Sequence, residues 1–211
     1  MFLFHQAPIL PHVALFVWQA PPDAVFALEG LPNYAQYAEE LAQLHHAARR
    51  EEWLISRHLL YEIDGRQADF SLQKDAFGKP YICRRAYQIS LSHTAHFTAI
   101  VQADYPCGVD IQVLTPKIVR IAAKFMHPTE WRNIEDGNPN YDLLLHQYWC
   151  AKEAVYKAWG KKNLAFKDIR IAPDFAQATI FAADRPLAIY ALHSINHTQF
   201  VLVAALEIAQ E

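Results

Sequence analysis

Apolar positions along this chain alternate, then recur at helical spacing, then alternate again, and each change of period marks an element. In residues 9–19, Val13, Leu15 and Val17 alternate with Ala14, Phe16 and Trp18, so both faces are apolar. That pattern predicts one strand covered on both sides, hence a central one. Over 34–63 the period lengthens. Leu41, Leu44, Ala48, Ile55 and Leu59 mark one face, while Arg49, Arg50, Glu51 and Glu52 cluster on the other. So long a stretch predicts two helices with a break near 45–49, closed by Asp64-Gly65. A polar loop over 67–80 ends in Phe77-Gly78-Lys79-Pro80. Residues 87–92 then alternate, 93–96 turn, and 97–101 return as the partner of a hairpin.

The break Asp104-Tyr105-Pro106 lies near the midpoint and divides the chain into candidate halves, 1–105 and 106–211. A strand over 108–113 carries Val109, Ile111 and Val113 on one side and Asp110 and Gln112 on the other. Residues 117–125 form an amphipathic helix with Lys117, Arg120 and Lys124 on one face and Ile118, Ile121, Ala122 and Phe125 opposite. Pro128, with Glu130 in the first turn, predicts a further helix. A longer helix follows over 141–159, with Gly160 as its stop. Strands are predicted at 169–171, 178–181, 187–193 and 199–206, the last pairing with the third. Both halves run strand, helices, hairpin, although no residue-level repeat relates them.

Composition narrows the function classes. A hydrophobic share of 53% supplies a core, and a net charge of −3 excludes a broadly basic nucleic-acid binder while leaving room for a local basic patch. Cys83, Cys107 and Cys150 are odd in number and lack a Cys-x-x-Cys spacing. This argues against a disulfide framework and a thiolate zinc site, and fits a reducing compartment. Residues 1–6 lack a basic stretch before an apolar one, and no apolar run is long enough to span a bilayer. The expectation is a cytoplasmic protein without a membrane or nucleic-acid partner. His45-His46 and His193/His197 have no acidic third ligand near them and read as structural or exposed.

Four polar clusters can carry chemistry. Asp110 and Gln112 lie two apart on a strand and point the same way, an arrangement that suits a hard divalent cation. Ser92-His93, at a strand end, can donate hydrogen bonds to a phosphate. Lys79 sits in a fixed Gly-Lys-Pro loop where a cation can meet an anion. Glu153 and Lys157 share a helix face, with Lys152 beside them. Each also has a plain reading: a half-exposed strand, a capped turn, a solvated lysine, or a surface ion pair worth roughly 0.2–0.5 kcal/mol.

Their order is more specific than any one of them. Gly-Lys-Pro, Ser-x-Ser-His, Gly-Val-Asp-x-Gln and Trp-x-x-Lys-Glu-Ala-x-x-Lys, over about residues 45–172, together resemble the 4′-phosphopantetheinyl transferases. The closer match is their long monomeric branch, the surfactin-synthetase-activating type. The resemblance implies an α+β pseudo-dimer of two similar α/β halves, each with a small, mostly antiparallel sheet packed on helices. It implies transfer of the phosphopantetheine arm of coenzyme A to a serine of an acyl, peptidyl or aryl carrier protein, with Mg²⁺, or Mn²⁺ in its place. Carried over by position, Asp110, Glu153 and Lys157 match the catalytic residues, and Asp110, Gln112 and Glu153 the metal ligands. Lys79, Ser92, His93 and Lys152 match coenzyme A contacts, with Arg50 or Arg57 as the first-half cation that reaches its 3′-phosphate. Lys117, Arg120, Ile121, Lys124 and Phe125 fall where relatives dock the carrier. Gln112 departs from the pattern, since many long-branch relatives have Glu there. It marks the rival expectation, a non-catalytic coenzyme A or nucleotide binder on the same fold.

Overall fold

The computed structural model describes residues 2–10, 12–21, 24–134 and 137–208. Strands β1 (Phe2–Leu10) and β2 (Val13–Gln19) lead into helices α1 (Tyr34–Ala42) and α2 (Ala47–Ile63). A ribbon of β3 (Leu72–Lys74) and β4 (Pro80–Ile82) follows, then the hairpin β5 (Gln88–Thr94) and β6 (Phe97–Ala103). Beyond it come β7 (Cys107–Gln112), α3 (Lys117–Phe125) and α4 (Tyr141–Trp159). Four strands close the chain: β8 (Ile169–Ile171), β9 (Gln177–Ala182), β10 (Arg185–Asn196) and β11 (Val201–Glu207). The antiparallel order is β1-β2-β6-β5 in one sheet and β7-β11-β10-β9-β8 in the other. The α+β class with small antiparallel sheets on helices is the one the sequence led us to expect. No helix among the described residues is long and apolar enough to cross a membrane.

The pattern of burial gives four layers. Val13, Leu15 and Val17 of β2 and Ala99 and Val101 of β6 meet Val109 and Ile111 of β7 and Leu202 and Ala204 of β11 between the sheets. Alternate residues face outward: Trp18, Ile89 and Ile100 pack under α1 and α2, and Val201, Val203 and Ala205 under α4. This is why both faces of β2 are apolar, for it is an interior strand of its sheet.

Two expectations are corrected. Residues 9–19 do not form one strand. The chain reverses between Leu10 and Val13, with His12 in the left-handed region (φ 63), and the outer part pairs back as β1. Alternation alone does not register a turn whose flanks are equally apolar. Nor does Pro128 open a helix: only a 3₁₀ turn, Glu130–Asn133, forms there. The Glu130 carboxylate is drawn inward, where it accepts the N–H groups of His127 (2.7 Å) and Ile171 (2.9 Å).

The sheets meet at their edge strands, β5 and β7, through small hydroxyl side chains. Ser90 Oγ accepts the Val109 N–H (3.1 Å) and Thr94 Oγ1 that of Val113 (3.2 Å). On its other face β7 lies directly against α4. A Cβ at Gly108 would sit 1.9 Å from the Ala154 carbonyl oxygen, so only glycine permits this approach. Gly108→Ala therefore forces strand and helix apart. We expect a loss of about 1–3 kcal/mol, read as a lowered urea midpoint. An unchanged midpoint would show that α4 is free to step back.

Candidate functional site at the edge of the two sheets

Asp110 is the hub. It projects from β7 toward α4 and is only 2% exposed. Ser92 Oγ donates to its Oδ1 (2.7 Å) from β5, Lys157 Nζ donates to the same oxygen (2.7 Å) from α4, and Gln112 Nε2 donates to Oδ2 (3.1 Å). Lys157 also donates to the Val109 carbonyl (2.9 Å), which pins its ammonium to the strand. Groups far apart in sequence thus converge because β5, β7 and α4 share one edge.

Glu153 lies on α4 one turn before Lys157. Burial first, and the neighbouring Asp110 charge second, push its carboxyl up to about 7 against the opposing pull of Lys157. A desolvated carboxylate with a second carboxylate beside it is a natural seat for a cation, and oxygen donors fit Mg²⁺. Among the described residues, no cluster of three or more His, Cys, Asp or Glu is placed to share a metal ion. What the site offers is therefore a carboxylate pair, which suits Mg²⁺ bound through one or two carboxylates and a substrate phosphate.

A cleft of about 920 Å³ opens beside this hub between α2, the β3–β4 ribbon, β5 and the end of α4. Arg49, Lys74, Lys79, Lys157, Lys161 and Lys162 line it, with Phe77, Trp53 and Leu91 as apolar wall. Lys79 Nζ reaches from the β3–β4 ribbon to the Ala158 carbonyl at the end of α4 (3.2 Å) and to Gln88 Oε1 (3.2 Å). His93 faces the cleft and contacts Thr98 Oγ1 through Nδ1 (3.0 Å). Burial, then the charges of Lys157 and Arg49, lower its pKa to about 4, so its imidazole is neutral at physiological pH.

This geometry meets an independent finding: residues 106–205 match the model of the 4′-phosphopantetheinyl transferase superfamily. A 4′-phosphopantetheinyl transferase of Bacillus subtilis is 26% identical over 136 residues, 60% of this chain and 60% of that protein. A putative one of Synechocystis is 28% identical over 162 residues, 69% of this chain and 64% of its own. A third, Sfp of Bacillus subtilis strain 168, is 30% identical over 111 residues, 51% of this chain and 47% of its length. The second half of this chain is thus similar to the 4′-phosphopantetheinyl transferase superfamily. The chain's match spans less than two thirds of the length of these relatives.

Within that superfamily frame, the fold sorts the residues to which the motifs pointed. Asp110, Gln112, Ser92, Glu153 and Lys157 come together at the hub, and Lys79 and His93 line the adjoining cleft. Lys152 does not belong with them. It is 0% exposed, pairs with Glu130 (2.8 Å) and donates to the Phe166 and Ile169 carbonyls, so a coenzyme A contact by Lys152 is ruled out by its burial. Arg50 is spent on capping α1, donating to the Leu41 (2.7 Å) and Leu44 (3.3 Å) carbonyls. Arg57 reaches the cleft wall but is 6% exposed, stacked 3.3 Å over the Trp53 ring and paired with Glu40 (2.7 Å). Arg49, one residue before Arg50, is exposed on the cleft. The sequence left the choice between Arg50 and Arg57 open and did not offer Arg49, because helix spacing alone does not say which face of α2 is covered. On α3, Lys117, Arg120 and Lys124 are exposed and Ile121 is half-buried, but Phe125 is 0% exposed and packs on Trp149, so it cannot dock a partner. The apolar stripe that makes α3 amphipathic is the reason Phe125 points inward.

Two tests follow from these placements. Lys152→Met strands the Glu130 carboxylate in the core and should cost about 3–5 kcal/mol by urea denaturation. A second change, Glu130→Gln, should recover much of that loss, and failure to do so would mean the pair does not act as a unit. For His93, the folded-state value of about 4 lies below the ordinary 6.5, so between these values the unfolded chain binds the extra proton. Stability is therefore full above pH 6.5 and is lost as pH falls toward 4, by about 1–3 kcal/mol from this group. His93→Gln should flatten that slope in urea midpoints measured across the same window.

Proposed function

We propose that this protein transfers the 4′-phosphopantetheine arm of coenzyme A to a serine hydroxyl of an apo carrier protein and releases adenosine 3′,5′-bisphosphate. The observation that carries this reading is the meeting of Asp110, Glu153 and Lys157 beside a cleft lined with cations. In the step, the serine Oγ attacks the phosphorus on the pantetheine side of the diphosphate. The bond from that phosphorus to the bridging oxygen breaks, and the electron pair leaves with the nucleotide. Mg²⁺, or Mn²⁺, held by Asp110 and Glu153, would supply charge compensation on the diphosphate. Lys157 spends two donor directions on Val109 and Asp110, and its remaining N–H serves the phosphoryl oxygens, where fixed positive charge lowers the barrier. Glu153 takes the serine proton, directly or through a water.

The first half, 1–105, supplies nucleotide contacts: Lys79 and neutral His93, with Arg49 as the cation for the 3′-phosphate, while Ser92, buried with its one O–H on Asp110, serves the hub instead. The second half, 106–211, supplies the carboxylates, α4 and the docking surface. Carrier proteins are typically acidic, and the exposed Lys117, Arg120 and Lys124, with half-buried Ile121, suit them. Because one chain provides both β5 and β7, the cleft forms without a second copy, and we read the protein as a cytoplasmic monomer.

Incubating apo carrier proteins with coenzyme A and Mg²⁺ should give the mass gain of one phosphopantetheine by intact-protein mass spectrometry. Glu153→Gln and Lys157→Ala should each lower the rate by about 100-fold or more. Coenzyme A binding without mass gain on any of several carriers would favour the non-catalytic binder. Arg49→Ala should weaken coenzyme A binding by about tenfold, the loss expected for a charge-assisted contact, while Arg50→Ala leaves it within about twofold. Equal effects of the two changes would remove Arg49 from the phosphate.

A further inference from the structure

We infer that Gln112 is not a ligand of the cation but a positioning residue, which fixes the Asp110 carboxylate from the side while the cation is held by two carboxylates alone. The inference rests on the metal reading proposed above. Gln112 and Asp110 lie two residues apart on β7, and their registered partners on β11, Val201 and Val203, belong to the face under α4. The Gln112 Nε2 is 3.1 Å from Asp110 Oδ2. An ionised carboxylate only accepts, so the group facing it is the amide N–H and not the carbonyl oxygen. The other oxygen, Oδ1, is already taken by Ser92 and Lys157. Oδ2 is thus the oxygen left for a cation shared with Glu153, and Gln112 approaches it with a positive dipole end.

For Gln112 to ligate, its amide must turn over. That rotation breaks a hydrogen bond to a charged acceptor, among the stronger kinds a neutral side chain makes. What it gains is one neutral oxygen ligand. Water offers the same without the rotation, and Mg²⁺ parts with its waters reluctantly. The balance leaves a water in the third place and Gln112 on Asp110. A glutamate at this position has no N–H to donate, so it has to ligate the cation or repel Asp110. Gln112 therefore trades a ligand for control of the carboxylate plane and leaves one negative charge fewer beside the diphosphate.

Mn²⁺ titration followed by the EPR signal of the free ion tests this without recourse to turnover. Gln112→Leu should leave Mn²⁺ affinity within about threefold of wild type, whereas Asp110→Asn should lower it at least tenfold. Gln112→Glu should tighten it at least tenfold by filling the third place. In the transfer assay, Gln112→Leu should lower kcat about tenfold at saturating metal, because Asp110 loses its lateral hold. A tenfold loss of Mn²⁺ affinity in Gln112→Leu, no gain in Gln112→Glu, or an unchanged kcat in Gln112→Leu each overturns the inference. Gln112→Met gives the same readout if the leucine variant does not fold. Wild-type protein that binds no Mn²⁺ overturns the metal reading itself, and this inference with it.

Discussion

A carboxylate held in the protein interior governs this structure. Asp110 cannot be buried as an anion unless its oxygens are met by donors, and the donors come from three elements: Ser92 on β5, Lys157 on α4 and Gln112 on β7 itself. Satisfying one charge therefore sets how the edges of the two sheets meet and how close the helix lies. The hydroxyls of Ser90 and Thr94 extend the same junction by bonding to the backbone of β7. Apolar residues in their place would leave strand N–H groups buried and unpaired.

The position of α4 is fixed from two sides. Gly108 lets the helix backbone rest on β7, and the buried Lys152–Glu130 pair ties the helix to the 3₁₀ turn after α3 and to β8. Glu153 and Lys157 are carried between these two anchors. Lys152 and Lys157, five residues apart, consequently have opposite environments. One is sealed in the core, where burial lowers its pKa against the pull of Glu130, and the other is part-exposed at the cleft with its ammonium on Asp110. The first holds the helix, and the second is available to a ligand.

The cleft shows how a chain of net charge −3 presents a cationic surface. Its lysines and Arg49 come from α2, the β3–β4 ribbon, α4 and the segment after α4, so no charge run in the sequence announces them. Glu40 neutralises Arg57 on the same wall, which leaves that guanidinium as a brace between Tyr37 and Trp53. The cations that remain unpaired with Glu40 thus line the cleft beside the hub.

Period and punctuation alone were enough to define α3, α4, the break between α1 and α2, the hairpin of β5 and β6, and the pairing of β10 with β11. These depend on local spacing, and local spacing is what a sequence displays. The order of the four motifs gave the resemblance to the 4′-phosphopantetheinyl transferases and pointed to Asp110, Glu153 and Lys157. Other matters were decided by which face of each element the rest of the molecule covers. Lys152 and Phe125 carry the same letters whether they meet solvent or core, and burial took them out of the site. Arg49, Arg50 and Arg57 share one helix, and only the packing of α1 and Trp53 assigns Arg50 to a cap, Arg57 to a brace and Arg49 to the cleft. Gln112 was visible as a departure, but its amide direction became legible only with Asp110 beside it. A sequence lists donors and acceptors, but which of them meet depends on distances set by the whole fold.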